Sequence, residues 1–507
     1  MFHSSIHRPK LFIFSFTAII FGVASHIPMY FHAAPLAYKM VGMVMSPIMM
    51  VGMLLMIAGS ITGVLSILPN IKELSKPKLT YIIEDSQWCL TRHHTITILS
   101  LTVAIAIDVM KPATLGLVIP GMKAEYMLSS FQVGIFPVVA LLGTAIGSVF
   151  CGLLGDKIGR KPVILLSSII FIGTSVCGAM PSFLGNCIMC FLMGLSAGGL
   201  LPISFTMISE LVPKRHSGWI QVLAGGAGAS LGYYLATINA SLFDGTFNWR
   251  FLWLAGIPSG LILLFLSRFI PESPIHLLNN GDSQKALSIW TYFGRDIINY
   301  KVIVKPIINT HSFSLDIKGS ALVAVAIAWG VVNFGLILWI PLGLNVMGMP
   351  INEVNSLLGY SALLALPGII IVAFLSYKFG NNITLFLFLG ILSISLFWLS
   401  ISHLKSVNGT LVLPITLLLL SASAVISLLI PASTHAFDSE KRATGSGLVS
   451  AASKAGGILG AILGSLSIFL DFRLGSLICL FFVSIAIIFL FSALFLQKKS
   501  MSQIYDF

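Results

Sequence analysis

Charge is what this sequence has least of. Only 9% of its 507 residues are Asp, Glu, Lys or Arg, against 57% hydrophobic, and the mean hydropathy is +0.98. That balance excludes a soluble domain, which carries about a quarter of its residues charged. Acids are scarcer still, with 17 Asp and Glu against 29 Lys and Arg, a net charge of +12. A basic excess can signal nucleic acid. Here the basic residues sit in short segments beside apolar runs, where they act as topology determinants, and no nucleic-acid partner is expected. Cysteine is rare too. The six, at 89, 151, 177, 187, 190 and 479, lie mostly inside apolar runs with no paired spacing, so no disulfide framework is expected. Metal-ligand clusters, nucleotide-binding loops and nucleophile–base arrangements are missing from the core, so neither an enzyme nor a cofactor is expected.

What is present is a succession of apolar runs long enough to cross a bilayer of roughly 30 Å. Fourteen are readable: 10–33, 40–68, then twelve between 95 and 496. The first follows Arg8 and Lys10 but is too long for a signal-peptide core and lacks a small-residue cleavage site, so it reads as a retained helix. If the spans alternate, Lys157, Arg160, Lys161, Lys214, Arg215, Lys285, Arg295, Lys301, Lys305, Lys318, Lys441, Arg442, Lys498 and Lys499 share one face. The positive-inside rule makes that face cytoplasmic. Both termini then lie inside. The polar segment 271–318 divides the last twelve spans into six and six, the layout of two bundles about a pseudo-twofold axis. The expected domains are 1–75 (two extra helices), 76–93 (cytoplasmic linker), 94–270 (first six-helix bundle), 271–318 (central cytoplasmic loop), 319–497 (second six-helix bundle) and 498–507 (cytoplasmic tail).

One turn stands out. Gly152-Leu153-Leu154-Gly155-Asp156-Lys157-Ile158-Gly159-Arg160-Lys161 is charged, glycine-punctuated and flanked by apolar runs. Gly152 and Gly159 should let helix ends approach closely. Asp156 can accept from a helix N-terminus and pair with Arg160 or Lys161. This stretch resembles the loop between the second and third helices of the major facilitator superfamily. Asn248-Trp249-Arg250 with Pro271-Glu272-Ser273-Pro274, Ser209-Glu210-Leu211-Val212-Pro213, and Arg442-Ala443-Thr444-Gly445-Ser446-Gly447 with Lys454-Ala455-Gly456-Gly457 resemble further motifs of its sugar-porter, organic-ion and aromatic-acid/proton symporter branch.

The resemblance covers about 95–496 and implies an all-α membrane protein. It implies a twelve-helix facilitator core, six plus six, preceded by two extra transmembrane helices. It also implies a cytoplasmic gate network in which Asp156, Glu210 and Glu272 pair with Arg160, Lys161, Arg215 and Arg442 around the turn held by Gly152 and Gly159. The pattern departs at several places. Ile275 and His276 stand where the family places Arg and Trp, Ser217 where it places Arg, and Cys190 where proton-coupled members often carry Arg. His435 occupies the acidic position of the second half. The second-half counterpart of the turn is eroded to Tyr377-Lys378-Phe379-Gly380-Asn381.

Inside the spans, Asp108 and Lys111 are the residues that need explaining. A charge at mid-membrane costs about 2.5–3.5 kcal/mol or more. Residues three apart share a helix face and partly neutralise each other. They read either as a cavity-facing pair that binds solute or titrates, or as a local structural ion pair. Pro112 and Gly116 should kink this helix. Tyr233, Tyr234 and Asn239 on the fifth core helix, and Trp329 and Asn333 on the seventh, are further solute or proton candidates, each also readable as a helix-packing contact. Trp339 with Pro341 reads as an interface belt residue.

The second extra helix is methionine-rich. Thioethers suit Cu(I), so Met43, Met49, Met50 and Met53 are weighed as a metal site, against simple packing filler. Gly59 and Gly63 offer a small-residue surface for docking on the core.

The expected function is secondary active transport of a small organic solute by alternating access, coupled to protons. A metal or metal-chelate (copper or iron) transporter and a non-transporting sensor or assembly factor on the same fold are the alternatives. The expected partners are the solute, protons and the lipid bilayer. The chain is expected to be a monomer in the plasma membrane, with compact loops favouring a bacterial inner membrane.

Overall fold

A computed structural model describes residues 8–68, 81–82, 89–295, 301–302, 316–402, 411–436 and 442–505. Among these the chain is helical almost throughout. The extra pair comprises α1 (Pro9–Ala24), its short continuation α2 (Ile27–His32) and α3 (Pro47–Ile67). The first six core spans follow as α4 (Arg92–Tyr126), α5 (Ser130–Ile158), α6 (Arg160–Thr174), α7 (Phe183–Leu211), α8 (Lys214–Phe247), and α9 (Phe251–Leu254) joined to α10 (Gly256–Leu266). Two short helices, α11 (Pro274–Asn279) and α12 (Ser283–Tyr292), lie in the central segment. The remaining spans are α13 (Ile317–Val331) running through a π-turn (Val332–Ile337) into α14 (Leu338–Val346), then α15 (Ile351–Phe379), α16 (Asn381–Ile401), α17 (Val412–Ala436), α18 (Arg442–Ser465) and α19 (Phe472–Tyr505). The one sheet among described residues pairs β1 (Tyr81–Ile82) with β2 (Lys301–Val302), antiparallel.

Thirteen of these stretches are long and apolar enough to cross a membrane. The fourteenth long helix, α8, has 34 residues but is diluted by glycine, tyrosine and amide residues and falls below that apolarity. Exposed Leu, Ile and Phe side chains occur along nearly every span, as lipid contact requires.

Helix boundaries follow local chemistry. The second extra helix begins at Pro47, later than the expected span 40–68. Ala37, Tyr38 and Gly42 adopt positive φ (52°, 59° and 81°), which no α-helix tolerates. Ser46 then caps α3 by accepting from Met49 N–H at 3.4 Å, with Pro47 in the first helical position. The first expected span, 10–33, divides between α1 and α2. The first core helix, α4, is assigned unbroken through Pro112 and Pro120.

The described chain forms two compact units that interleave in sequence. One comprises Met1–Asp108, Gly143–Ser217 and Arg250–His311; the other comprises Val109–Leu142, Gly218–Trp249 and Ser312–Phe507. In the first unit, α1 and α3 pack on each other and both touch α6, which also packs on α7 and α10. Gly59 faces Ile19 and Ser15 of α1, and Ser15 Oγ donates to the Gly59 carbonyl at 2.6 Å. Gly63 meets Ser15 and, at 3.7 Å, Leu166 of α6. The small-residue surface therefore binds the two extra helices together first and reaches the core only at its end.

In the second unit, α13 packs on α17, α18 and α19, and α16 packs on α17 and α19. Trp339 is fully buried, because Gly464 of α18 leaves the space its indole occupies. It is a core residue, not the interface residue its proline neighbour suggested. Within the same unit, Gly116 of α4 abuts the Leu338 carbonyl, Gly134 of α5 abuts Ser465, and Ser241 of α8 bonds Ser356 of α15 at 2.9 Å.

Candidate functional site

The ten-residue turn is almost entirely helix. α5 runs to Ile158 and α6 starts at Arg160, leaving Gly159 alone between them. Gly159 takes φ +107° and ψ 161°, a conformation that L side chains rarely adopt. A Cβ there would also overlap the Glu272 carboxylate. Gly380, in the eroded second-half turn, takes nearly the same angles (82°, 162°) ahead of α16. The repeat between the halves thus survives in the backbone where the side chains have diverged. Gly152 lies inside α5 with open space beside it, so no close approach depends on it.

The N-terminus of α6 is capped by Glu272, not by Asp156. Glu272 Oε1 accepts from Arg160 N–H at 2.8 Å, and Oε2 accepts from Lys161 N–H at 3.3 Å. Oε1 also accepts from Ser273 N–H at 2.8 Å. Burial pushes the Glu272 carboxyl up, while these N–H groups and the Arg160 charge pull it the other way. Ser273 in turn caps α11, accepting from His276 N–H at 3.1 Å, with Pro274 opening the helix.

Arg160 is the hub. Its Nη2 lies 3.2 Å from Glu210 Oε1 and 3.3 Å from Asp156 Oδ1. Its Nη1 donates to the Gly155 carbonyl at 3.2 Å and meets His276 Nδ1 at 3.3 Å. The Arg160 and Glu210 side chains are only 13% and 10% exposed, so this pair is far better shielded than a surface ion pair. Asp156 is open to solvent at 65%. Lys161 is buried. Arg215 is exposed at the start of α8. The Arg442 side chain lies outside the described residues. The structure therefore brings Asp156, Gly159, Arg160, Lys161, Glu210 and Glu272 together and leaves Gly152 and Arg215 aside.

The second charged group is on α4. Asp108 and Lys111 stand mid-way along this 35-residue helix, 6% and 2% exposed. The other candidates are less uniform. Asn239 spends its amide on its own helix, donating to the Leu235 carbonyl at 2.9 Å. Trp329 Nε1 donates to the Ala422 carbonyl at 2.8 Å, a bond between α13 and α17. Asn333 is half-buried within the π-turn, so the four-residue spacing that paired it with Trp329 no longer holds. Tyr233 and Tyr234 are half-buried on α8.

Among the methionines, Met49 is buried with Met29, Met40, Tyr30 and Ala179, and Met43 packs against that cluster. Met50 is 59% exposed on another side of the helix, and Met53 is half-buried. The four do not converge.

Two residues acquire roles that sequence reasoning missed. Arg250 is fully buried and its Nη1 donates to the Gly178 and Met180 carbonyls at 3.2 and 2.7 Å, closing the 3₁₀ end of the α6 span. Asn355 of α15 is fully buried, and among the described residues neither amide atom has a hydrogen-bond partner. No sequence pattern marked it, since Asn352, three residues before, puts a second amide on the same helix face.

The family model of the Major Facilitator Superfamily matches residues 99–421. The chain belongs to the major facilitator superfamily. As a member it is a multi-pass membrane transporter and not an enzyme. The niacin transporter NiaP of Acinetobacter baylyi is 25% identical over 304 residues, covering 57% of this chain and 69% of that one. The gentisate transporter of Corynebacterium glutamicum is 34% identical over 162 residues, 31% of this chain and 36% of that one. The fold matches the xylose transporter XylE of E. coli, solved in a partially occluded inward open conformation, with a TM-score of 0.64 at 15% identity, covering 79% of this chain and 98% of that one. The motifs that suggested this family and the fold that carries them agree.

Proposed function

We propose that this facilitator carries a small aromatic carboxylate across the membrane with a proton, by alternating access around a mid-membrane site that includes Asp108 and Lys111. The observation that carries the reading is the burial of a carboxylate and an ammonium half-way along α4. Intramembrane charges are costly and are retained where they serve transport. An ammonium group is a direct partner for a carboxylate, and an aspartate can take and release the coupled proton. The relatives named for niacin and gentisate, both aromatic carboxylic acids, support the solute class. Tyr233, Tyr234 and Asn333 are the further side chains we assign to solute contact. The Arg160 cluster serves as the gate on the cytoplasmic face, with both termini on that side of a bacterial inner membrane. The basic loops support this orientation.

The test is uptake of radiolabelled nicotinate into proteoliposomes under an imposed proton gradient. Wild type accumulates the label and a protonophore abolishes accumulation. Lys111→Met weakens apparent affinity about tenfold or more, the value of one charged hydrogen bond. No accumulation of nicotinate, benzoate or gentisate by folded wild type overturns the reading.

A further inference from the structure

The Arg160 hub contains a bond that exists in only one protonation state of its partner. Arginine donates and never accepts. Its Nη1 lies 3.3 Å from His276 Nδ1, so Nδ1 holds a lone pair and the ring is neutral while this bond is made. The other ring nitrogen, Nε2, is 2.8 Å from Asn280 Nδ2; with Nδ1 accepting, Nε2 carries the ring proton, and the Asn280 amide has to turn over to offer it the oxygen. The ring is 5% exposed and its backbone is pinned by the Ser273 cap, so it has little freedom to turn away. Protonation would set an N–H against an N–H and one cation against another.

Among the described residues, the charged groups on the elements next to His276 are the following. Arg160 and Lys161 open α6, Glu210 closes α7, Asp156 ends α5, and Glu272 precedes α11 itself. Asp282 and Lys285 begin α12 and bond each other at 3.0 Å. β1, Tyr81–Ile82, carries no residue that ionises near neutral pH. Protonation places a second cation beside Arg160, and since the ring is held, Arg160 is the group that moves.

We infer that His276 is a proton-sensing positioning residue. Neutral, it holds Arg160 in the cluster; protonated, it releases Arg160 and loosens the hold between the α5–α6 turn and the segment leading out of α10. Transport thereby responds to pH on the face where this cluster lies. The inference rests on the gate role proposed above for the cluster. It also accounts for a departure from the family pattern, since the indole that the pattern places at this position could not switch.

The test uses full-length protein in nanodiscs, with spin labels at positions 157 and 378, exposed residues of the two corresponding turns. Distances are measured by pulsed dipolar spectroscopy at about pH 8 and about pH 5.5, on either side of the ordinary histidine range. Wild type is expected to shift its main distance between the two. His276→Gln, whose amide oxygen still accepts from Arg160, keeps the high-pH distance at both; His276→Lys keeps the low-pH distance at both. A His276→Gln protein that shifts like wild type overturns the inference, as does a wild type that does not shift. Nicotinate addition separates the two readings: a distance that moves with nicotinate but not with pH leaves transport standing and removes the histidine switch.

Discussion

Glu272 accepts the first backbone N–H of α6, that of Arg160, at 2.8 Å across 112 residues of sequence. One carboxylate therefore caps a helix, faces the glycine that makes the turn, and borders the arginine that gathers Glu210, Asp156 and His276. The cluster is built as a unit around a helix N-terminus, where the partial positive charge of the helix adds to that of the guanidinium.

The two glycines of the turn should behave differently. Gly159→Ala is expected to destabilise by about 1–3 kcal/mol for its positive φ, and further for the collision with Glu272. Gly152→Ala should stabilise by about 0.5–1 kcal/mol, since it faces open space inside a helix, where alanine is favoured over glycine. Thermal unfolding of the purified variants, followed by size-exclusion chromatography, distinguishes them.

Removing the cap should cost more than neutralising it. Glu272→Ala leaves the Arg160 and Lys161 N–H groups without this acceptor, with an expected loss of about 1–3 kcal/mol. Glu272→Gln keeps one acceptor oxygen and should lose less. The same unfolding measurement gives the order wild type, Gln, Ala; an Ala variant as stable as wild type would refute the capping role.

Arg250 should be intolerant of replacement. Leucine there removes both guanidinium bonds to the Gly178 and Met180 carbonyls from a fully buried site, at a cost of about 1.5–3 kcal/mol for each bond to the charged group. Lysine should rescue only in part, because a single ammonium cannot reproduce the guanidinium geometry. Yield of monodisperse protein and its unfolding temperature are the readouts.

Asn355 predicts the opposite sign. A fully buried amide with neither atom bonded among the described residues costs free energy in this conformation. Asn355→Leu, similar in volume, should therefore raise thermal stability while lowering nicotinate uptake, if the amide finds its partners in solute, water or another conformation. A variant with unchanged uptake would make Asn355 a packing residue only.

The membrane character, the spans and the family were legible because each depends on local composition or on a motif within about ten residues. Ser46-Pro47 also marked a helix start, but the methionines upstream of it obscured the boundary. What was not legible depends on distant partners. No pattern around Asp156 reveals that Glu272, far along the chain, takes the helix N-terminus it was expected to cap. Trp339 beside Pro341 reads as interfacial until Gly464 supplies its cavity. The π-turn at Val332–Ile337 leaves no periodic trace, and it changes which residues share a face with Asn333.

The most direct test of the account is the transport of nicotinate by Asp108→Asn in proteoliposomes, comparing gradient-driven accumulation with exchange at equal pH. If the buried carboxylate couples the proton, the variant keeps exchange and loses accumulation. Accumulation at the wild-type level would contradict the assignment of Asp108 as the coupling residue.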